Sequence, residues 1–390
     1  MSRIRHRKTH HIDNRPPFEC MALLLQGGGA LGAYQAGVYE GLAEAGIQPD
    51  WVAGISIGAI NAALIAGNPP ERRVDALRGF WETVTAGGLG GWPLDLMKPL
   101  LKGDQSRSLL GQFSANMAIL SGAPGFFKPR VPSPLLQPKG ALEATSFCDT
   151  SQLKTTLERL VDFDRINAEG MRFSVGAVNI RSGNFVYFDT TTHKIRAEHV
   201  MASGALPPGF AAVEIDGEFY WDGGLVSNTP LQWVLDSVPR QDTLAFQVDL
   251  WNARGEIPGN LAEVETRRKE IVYSSRTRAS TTQFKYTQQI RNAVAGLLQR
   301  LPDELKDNAD AEFLSTLTDR KVYNIVHLIY RTQKYEGHSK DYEFSLPSMR
   351  AHWRAGYHDT IRTLRHPHVL ERPHNREGVA VFDLDQDGGE

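Results

Sequence analysis

Two short apolar runs, each ending in a glycine-bounded turn that opens a helix-compatible segment, constrain this chain more than any other feature. Residues 21–25 are continuously apolar, as a strand buried on both faces requires, and they stop at Gly27, Gly28 and Gly29. Residues 30–45 then space Leu31, Tyr34, Val38 and Leu42 by three or four positions, and Gly46 follows as a helix-ending glycine. Residues 51–55 repeat the buried-strand pattern, and residues 57–66, rich in Ala and Ile, repeat the helix. Strand, glycine turn and helix, twice over, require crossover connections and therefore a parallel sheet, which places the chain in the α/β class.

The second turn reads Gly54, Ile55, Ser56, Ile57, Gly58, the pattern G-x-S-x-G between a strand and a helix. In so tight a turn a Cβ two residues either side of the serine would clash, and the hydroxyl is left exposed at a helix N-terminus, where the partial positive charge favours a developing oxyanion. Ser56 is therefore a candidate nucleophile. Gly27, Gly28 and Gly29 end the neighbouring strand and so emerge at the same carboxyl edge, where their amides form a candidate oxyanion hole. A competing reading takes Gly27, Gly29 and Gly32 as G-x-G-x-x-G, a dinucleotide site with Asp50 as the ribose acid. That acid belongs at the end of the second strand, whereas Asp50 precedes it.

Further along, residues 213–220 read as a hairpin turning at Asp216 and Gly217 and delivering the chain to Asp222, Gly223 and Gly224. A serine nucleophile needs a base within hydrogen-bond reach, and Asp222, held at a strand end, is the candidate. The alternative is a triad with His327 or His338. Residues 173–178, 185–188, 243–250 and 322–330 read as strands, residues 261–301 as a long helix-compatible stretch, and residues 347–364 as a late helix.

With 43 Lys and Arg against 45 Asp and Glu, the net charge of −2 gives no reason to expect nucleic acid as a partner. Two cysteines, Cys20 and Cys148, make no disulfide framework and fit a cytoplasmic setting; no metal-ligand spacing is present, so neither metal nor cofactor is expected. No apolar stretch reaches the roughly 20 residues a spanning helix needs.

Taken together in this order, GGGALG, GISIG and DGG resemble the patatin-like phospholipase family; residues 202–207 look like its A-S-x-A-x-P block, and Asn228, Thr229 and Pro230 like its N-x-P. The resemblance implies a three-layer α/β patatin-like fold with a mostly parallel central sheet and a helical C-terminal extension. It also implies a lipid acyl hydrolase of phospholipase A, lysophospholipase or carboxylesterase type, with Ser56 as nucleophile, Asp222 as proton acceptor and Gly27 to Gly29 as oxyanion hole. Gly32, Gly54, Gly58, Gly223 and Gly224 complete the motifs. Transfer of the acyl group to an acceptor other than water would use the same acyl-enzyme. One departure stands out: where the family often carries a basic residue in its glycine block, this chain has Leu31.

The expected organisation is a disordered basic tail (1–20), a patatin-like catalytic domain (21–255), a C-terminal extension (256–365) and a flexible tail (366–390). Residues 87–147, crowded with Gly and Pro, form an insertion that is either a lid or a packed irregular subdomain. Residues 261–300 carry a surplus of five positive charges, read first as a solvated helix face and second as a peripheral contact with an anionic membrane.

Overall fold

The computed structural model describes residues 9–87, 121–168, 170–274, 277–331 and 339–383. Its centre is a nine-stranded sheet built from β1 (Cys20–Leu25), β2 (Trp51–Gly54), β5 (Arg172–Asn179), β6 (Phe185–Asp189), β7 (Val213–Ile215), β8 (Glu218–Asp222), β9 (Thr243–Asp249), β10 (Tyr323–Ile329) and β11 (Val379–Phe382). Two short strands, β3 (Lys128–Pro129) and β4 (Cys148–Asp149), pair separately. The main order is β11-β10-β9-β1-β2-β5-β8-β7, parallel from β11 to β5, with β6 and β8 antiparallel to β5.

The apolar run that begins the chain's ordered core explains the three layers. On β1, Met21, Leu23 and Leu25 join one buried cluster together with Val38 of α1 (Ala33–Glu44), Ile60 of α2 (Ile57–Ala66) and Phe80 of α3 (Arg73–Thr85). Cys20, Ala22 and Leu24, alternating with them, join a second cluster on the other face, with Leu231, Leu235 and Phe284. A strand sandwiched in this way must be apolar at every position, which is why it lacks the alternation of a half-exposed strand.

The register at β5 positions the site. β2 pairs with β5 from Arg172 to Val175 and ends at Gly54, while β6 occupies the opposite edge of β5 from Ser174 to Val178. β8 pairs with Ala177, Val178 and Asn179, so it must lie on the edge that β2 has vacated. It descends toward the end of β2 and stops at Asp222, opposite Ala177. The hairpin that delivers it turns at Asp216 (φ 51°) and Gly217 (φ 86°), two left-handed residues in succession as a tight two-residue hairpin requires.

Two expectations about the termini need correction. Residues 9–19 are packed: Arg15 pairs with Asp50, His11 Nδ1 contacts the Glu44 carbonyl at 2.8 Å, and Phe18 is buried. The segment after His366 is not loose up to residue 383, because β11 completes the sheet edge beside β10 and its backbone groups are thereby satisfied. Beside its helices the extension supplies β10, over the strand expected at 322–330, and β11 to the central sheet. Its last long helix, Leu346–Leu364, lies directly on α1: a Cβ on Gly37 would strike the Trp353 carbonyl, and one on Gly356 would strike the Tyr34 carbonyl.

The stretch 261–301 divides into two helices, Leu261–Tyr273 and Thr277–Gln299. Arg267 and Arg268 pair with Glu270 and Glu265 inside the stretch, while Lys269 and Arg291 pair with Asp341 and Asp236 outside it, so two of the five surplus charges are neutralised within the protein. Of the Gly- and Pro-rich insertion, residues 88–120 lie outside the described residues; residues 121–147 include Phe126 and Phe127, both buried. No helix among the described residues is long and apolar enough to cross a membrane.

Candidate active site

Ser56 sits at φ 55°, ψ −123°, a left-handed conformation that a non-glycine residue adopts only when its surroundings enforce it. The enforcement is steric. A Cβ on Gly54 would strike the Gly58 carbonyl, and one on Gly58 would strike the Leu25 carbonyl, so only glycine permits the turn to close over β1. The Ser56 N–H donates to Ser203 Oγ (3.0 Å), and Ser203 Oγ–H donates to the Gly176 carbonyl (2.6 Å). The turn is thus tied to β5 through a buried serine.

Asp222 faces this turn. Its carboxylate accepts a hydrogen bond from the Gly224 N–H (2.7 Å), shares the pocket wall with Ser56, and is 2% exposed. Burial pushes its pKa up to about 7, outweighing the influence of the Ser56 hydroxyl and the Gly224 N–H, which both favour the ionised form. Gly223 has no room for a side chain because a Cβ there would lie 2.6 Å from the Gly176 carbonyl. The glycines after the aspartate therefore serve close approach to β5.

The glycine loop that follows β1 lies against the same turn: a Cβ on Gly27 would come within 3.0 Å of Ser56 Cβ. Gly27 does not fully match its expected role, since its N–H is directed to the Asn228 carbonyl at 3.4 Å. Its carbonyl accepts from Asn228 Nδ2 (3.0 Å) and from Trp251 Nε1 (2.9 Å). Asn228 Nδ2 also donates to the Tyr273 carbonyl (2.9 Å), so one amide clamps the loop to the C-terminal region. Gly29 has φ 56°, and the next amide, Ala30 N–H, donates to the Asp341 carbonyl at 2.9 Å. Gly32 abuts Ile57 and Trp81, which leaves it a packing role.

These groups line one open-mouthed pocket enclosing about 690 Å³, solvent at the mouth included. Ser56, Asp222, Gly27, Gly28, Gly29 and Gly224 are all on its wall, and among the described residues no histidine is. His327, on β10, instead lies 3.5 Å from Asp249 in the interior of the sheet, and His338 lies outside the described residues. Asp50 stands at the opposite edge of the sheet, before β2, bonded to Arg15 and to the Met21 N–H (2.7 Å). Asp50 is absent from the residues lining the pocket at the first glycine turn, where the dinucleotide reading needs its ribose acid. No group of metal-ligating side chains occurs among the described residues.

A family model described as patatin-like phospholipase matches residues 23–235, more than half of the chain. The chain belongs to the patatin-like phospholipase family. A second model, described as patatin phospholipase, matches residues 271–376, so the C-terminal region is also family sequence. No curated protein matches. Among solved structures, VipD from Legionella pneumophila is similar at 15% identity, over 94% of this chain and 72% of that one, with a TM-score of 0.39. ExoU from Pseudomonas aeruginosa, in complex with SpcU, is similar at 18% identity over 76% and 61%, with a TM-score of 0.26. Membership of the patatin-like phospholipase family supports lipid acyl hydrolysis as the activity class.

Several residues of the pocket wall had escaped the sequence. Ser203 and Gly204 stand in the A-S-x-A-x-P block, and Asn228 in the N-x-P block, which had marked them as motif without a role. Phe126, Phe127, Trp251, Tyr273, Asp341, Tyr342 and Phe344 carried no signal.

Proposed function

We propose that this patatin-like protein hydrolyses carboxylic esters of lipids through a Ser56-Asp222 dyad and an acyl-serine intermediate. The observation that carries the reading is that Ser56 and the buried Asp222 carboxylate share one pocket wall, and burial pushes the pKa of that carboxylate up to about 7. An ordinary aspartate is too weak a base at neutral pH, whereas one raised to this range is matched to taking and returning a proton.

In the acylation step Ser56 Oγ forms a bond to the ester carbonyl carbon while its proton passes to Asp222. The carbonyl π electrons move to oxygen, and the amides of Gly28 and Gly29 are the donors we assign to that oxyanion. Such donors are each worth about 3 kcal/mol of transition-state stabilisation. As the tetrahedral species collapses, the carbon–oxygen bond to the alcohol breaks and the leaving oxygen takes the proton from Asp222. Water then attacks the acyl-Ser56 carbonyl, again giving its proton to Asp222, and Ser56 leaves as its alkoxide and is reprotonated as the fatty acid departs. No histidine is required.

A fluorophosphonate probe tests this directly. Labelling is expected at Ser56 alone, and both labelling and ester turnover are expected to vanish in Ser56→Ala. Turnover that survives that substitution at the wild-type rate would remove the reading.

A further inference from the structure

The pocket around Ser56 has two chemically distinct walls. One is polar: Asn228 clamps the glycine loop to Tyr273, Trp251 packs on the Tyr273 ring (centroids 5.4 Å apart), and Lys269 lies over the Tyr342 ring. The other is apolar. Phe126 and Phe127 pack on each other (5.3 Å), and each also packs on both Phe210 (5.7 and 5.4 Å) and Phe344 (5.8 and 5.9 Å). Rings at these separations are in van der Waals contact. The four rings therefore form one contiguous aromatic patch on this wall.

The chemistry of the dyad orients a substrate between these walls. Asp222 must return its proton to the leaving oxygen, so the alcohol portion belongs on the polar side with Asp222 and Asn228. The acyl chain is then directed to the apolar side, along Ile57 and Ile60 one turn apart on α2 and toward the phenyl rings. Burying methylenes against such a wall is favourable up to the point where the rings stop the chain.

We propose that this apolar wall is an acyl-chain subsite with a closed end, that Phe344 of the C-terminal region is one of its stops, and that the protein accordingly prefers esters of short and medium acyl chains to long ones. The proposal rests on the reading of Ser56 as nucleophile. Phe344 is well held for this role. Its N–H donates to the Tyr342 carbonyl (3.1 Å), it is 5% exposed, and it directly precedes Ser345, whose hydroxyl caps the helix Leu346–Leu364 packed on α1. The segment 341–344 thus contributes to both walls at once, with the Asp341 carbonyl on the glycine loop and the Phe344 ring at the acyl end. The C-terminal family region becomes a determinant of specificity.

The test is the chain-length profile of kcat/KM on p-nitrophenyl esters from acetyl to palmitoyl, for the full-length protein and for Phe344→Ala, Phe344→Leu and Phe344→Trp. Wild type is expected to fall off at the longer chains. Phe344→Ala and Phe344→Leu should shift the ratio of palmitoyl to butyryl kcat/KM upward by about tenfold or more, the scale on which pocket size discriminates chain length. Phe344→Trp should shift it downward. If the alanine variant does not fold, the leucine and tryptophan variants, moving the ratio in opposite directions, still decide. A uniform loss at every chain length, or profiles that superimpose on wild type, overturns the end-stop. Ser56→Ala runs in parallel. If turnover depends on Ser56 but the profiles do not move, the end-stop alone fails; if turnover does not depend on Ser56, the dyad fails and the end-stop with it.

Discussion

The Ala30 N–H donates to the Asp341 carbonyl at 2.9 Å, a single backbone hydrogen bond that fastens the glycine loop beside Ser56 to the C-terminal region. Together with Asn228, which reaches from the loop to Tyr273, it makes the region after β9 a structural part of the pocket. Five predictions can be measured.

Removing the C-terminal region should leave no folded core. β9 is buried along its whole length and paired on both sides, with β1 and with β10, so truncation after residue 255 strips one partner and exposes an apolar edge. The expected product is aggregated or lacks a cooperative melting transition, as read by size exclusion and near-ultraviolet circular dichroism. A soluble, cooperatively melting fragment 1–255 would contradict this.

Ser56 is held in a strained conformation, which should appear as stability. Ser56→Gly relieves the left-handed backbone whereas Ser56→Ala retains it, so the glycine variant should be the more stable of two inactive proteins by about 1–3 kcal/mol. Chemical denaturation midpoints compared at equal slope provide the measurement.

Asp222 should govern the pH dependence of activity. With a pKa near 7 the base is ionised only above neutrality, so kcat/KM should rise through about pH 7 and level off above it. Asp222→Asn should lower kcat by about two to four powers of ten and abolish that inflection. An unaltered profile in the variant would assign the inflection elsewhere.

The same carboxylate should cost stability, and the sign can be worked out. Its folded pKa lies above the unfolded value near 3.9, so between about pH 4 and 7 the native state binds more protons. Stability from this group is present below that window and is lost as pH rises through it, by up to about 4 kcal/mol. Asp222→Asn, which keeps an oxygen to accept from Gly224, should therefore melt higher than wild type at about pH 8, with the difference shrinking toward pH 4. A difference independent of pH would show that Asp222 carries no such burden.

Asn228 should matter through position rather than chemistry. Asn228→Ala removes the side-chain donor to the Tyr273 carbonyl and one of the two donors to the Gly27 carbonyl, at about 1–3 kcal/mol, and slackens the loop whose amides are assigned to the oxyanion. The expected signature is a fall in kcat larger than the rise in KM. Asn228→Asp should be worse, since a carboxylate cannot donate to either carbonyl. If KM alone changes, the clamp is acting on substrate binding instead.

Much of the α/β core was legible because its determinants are local. Buried strands must be apolar throughout, helix ends favour glycine, and the hairpin needs two left-handed residues, which Asp216 and Gly217 supply. The stretch 261–301 read as helix-compatible throughout, and helices Leu261–Tyr273 and Thr277–Gln299 occupy it. The segment after His366 looked loose because four strand residues among Pro, His and charged neighbours give almost no periodic signal, and only the open edge of β10 selects them.

The candidate site divides along the same line. By itself the sequence determined the serine turn, because Gly54 is demanded by contact with the Gly58 carbonyl four residues on, whereas Gly27, Gly28 and Gly29 were legible only as a glycine run and owe their lack of side chains to Asn228, Leu250 and Asp341 far along the chain. Only the tertiary structure decided that Asp222 meets Ser56, that Asn228 and Asp341 hold the loop, and that Phe126, Phe127, Phe210 and Phe344 converge. Those juxtapositions depend on which edge of β5 is left free when β2 ends, and on how the final helix packs on α1. Each is settled by long-range register and packing, where residues far apart in the chain compete for the same space, and no local pattern records the outcome.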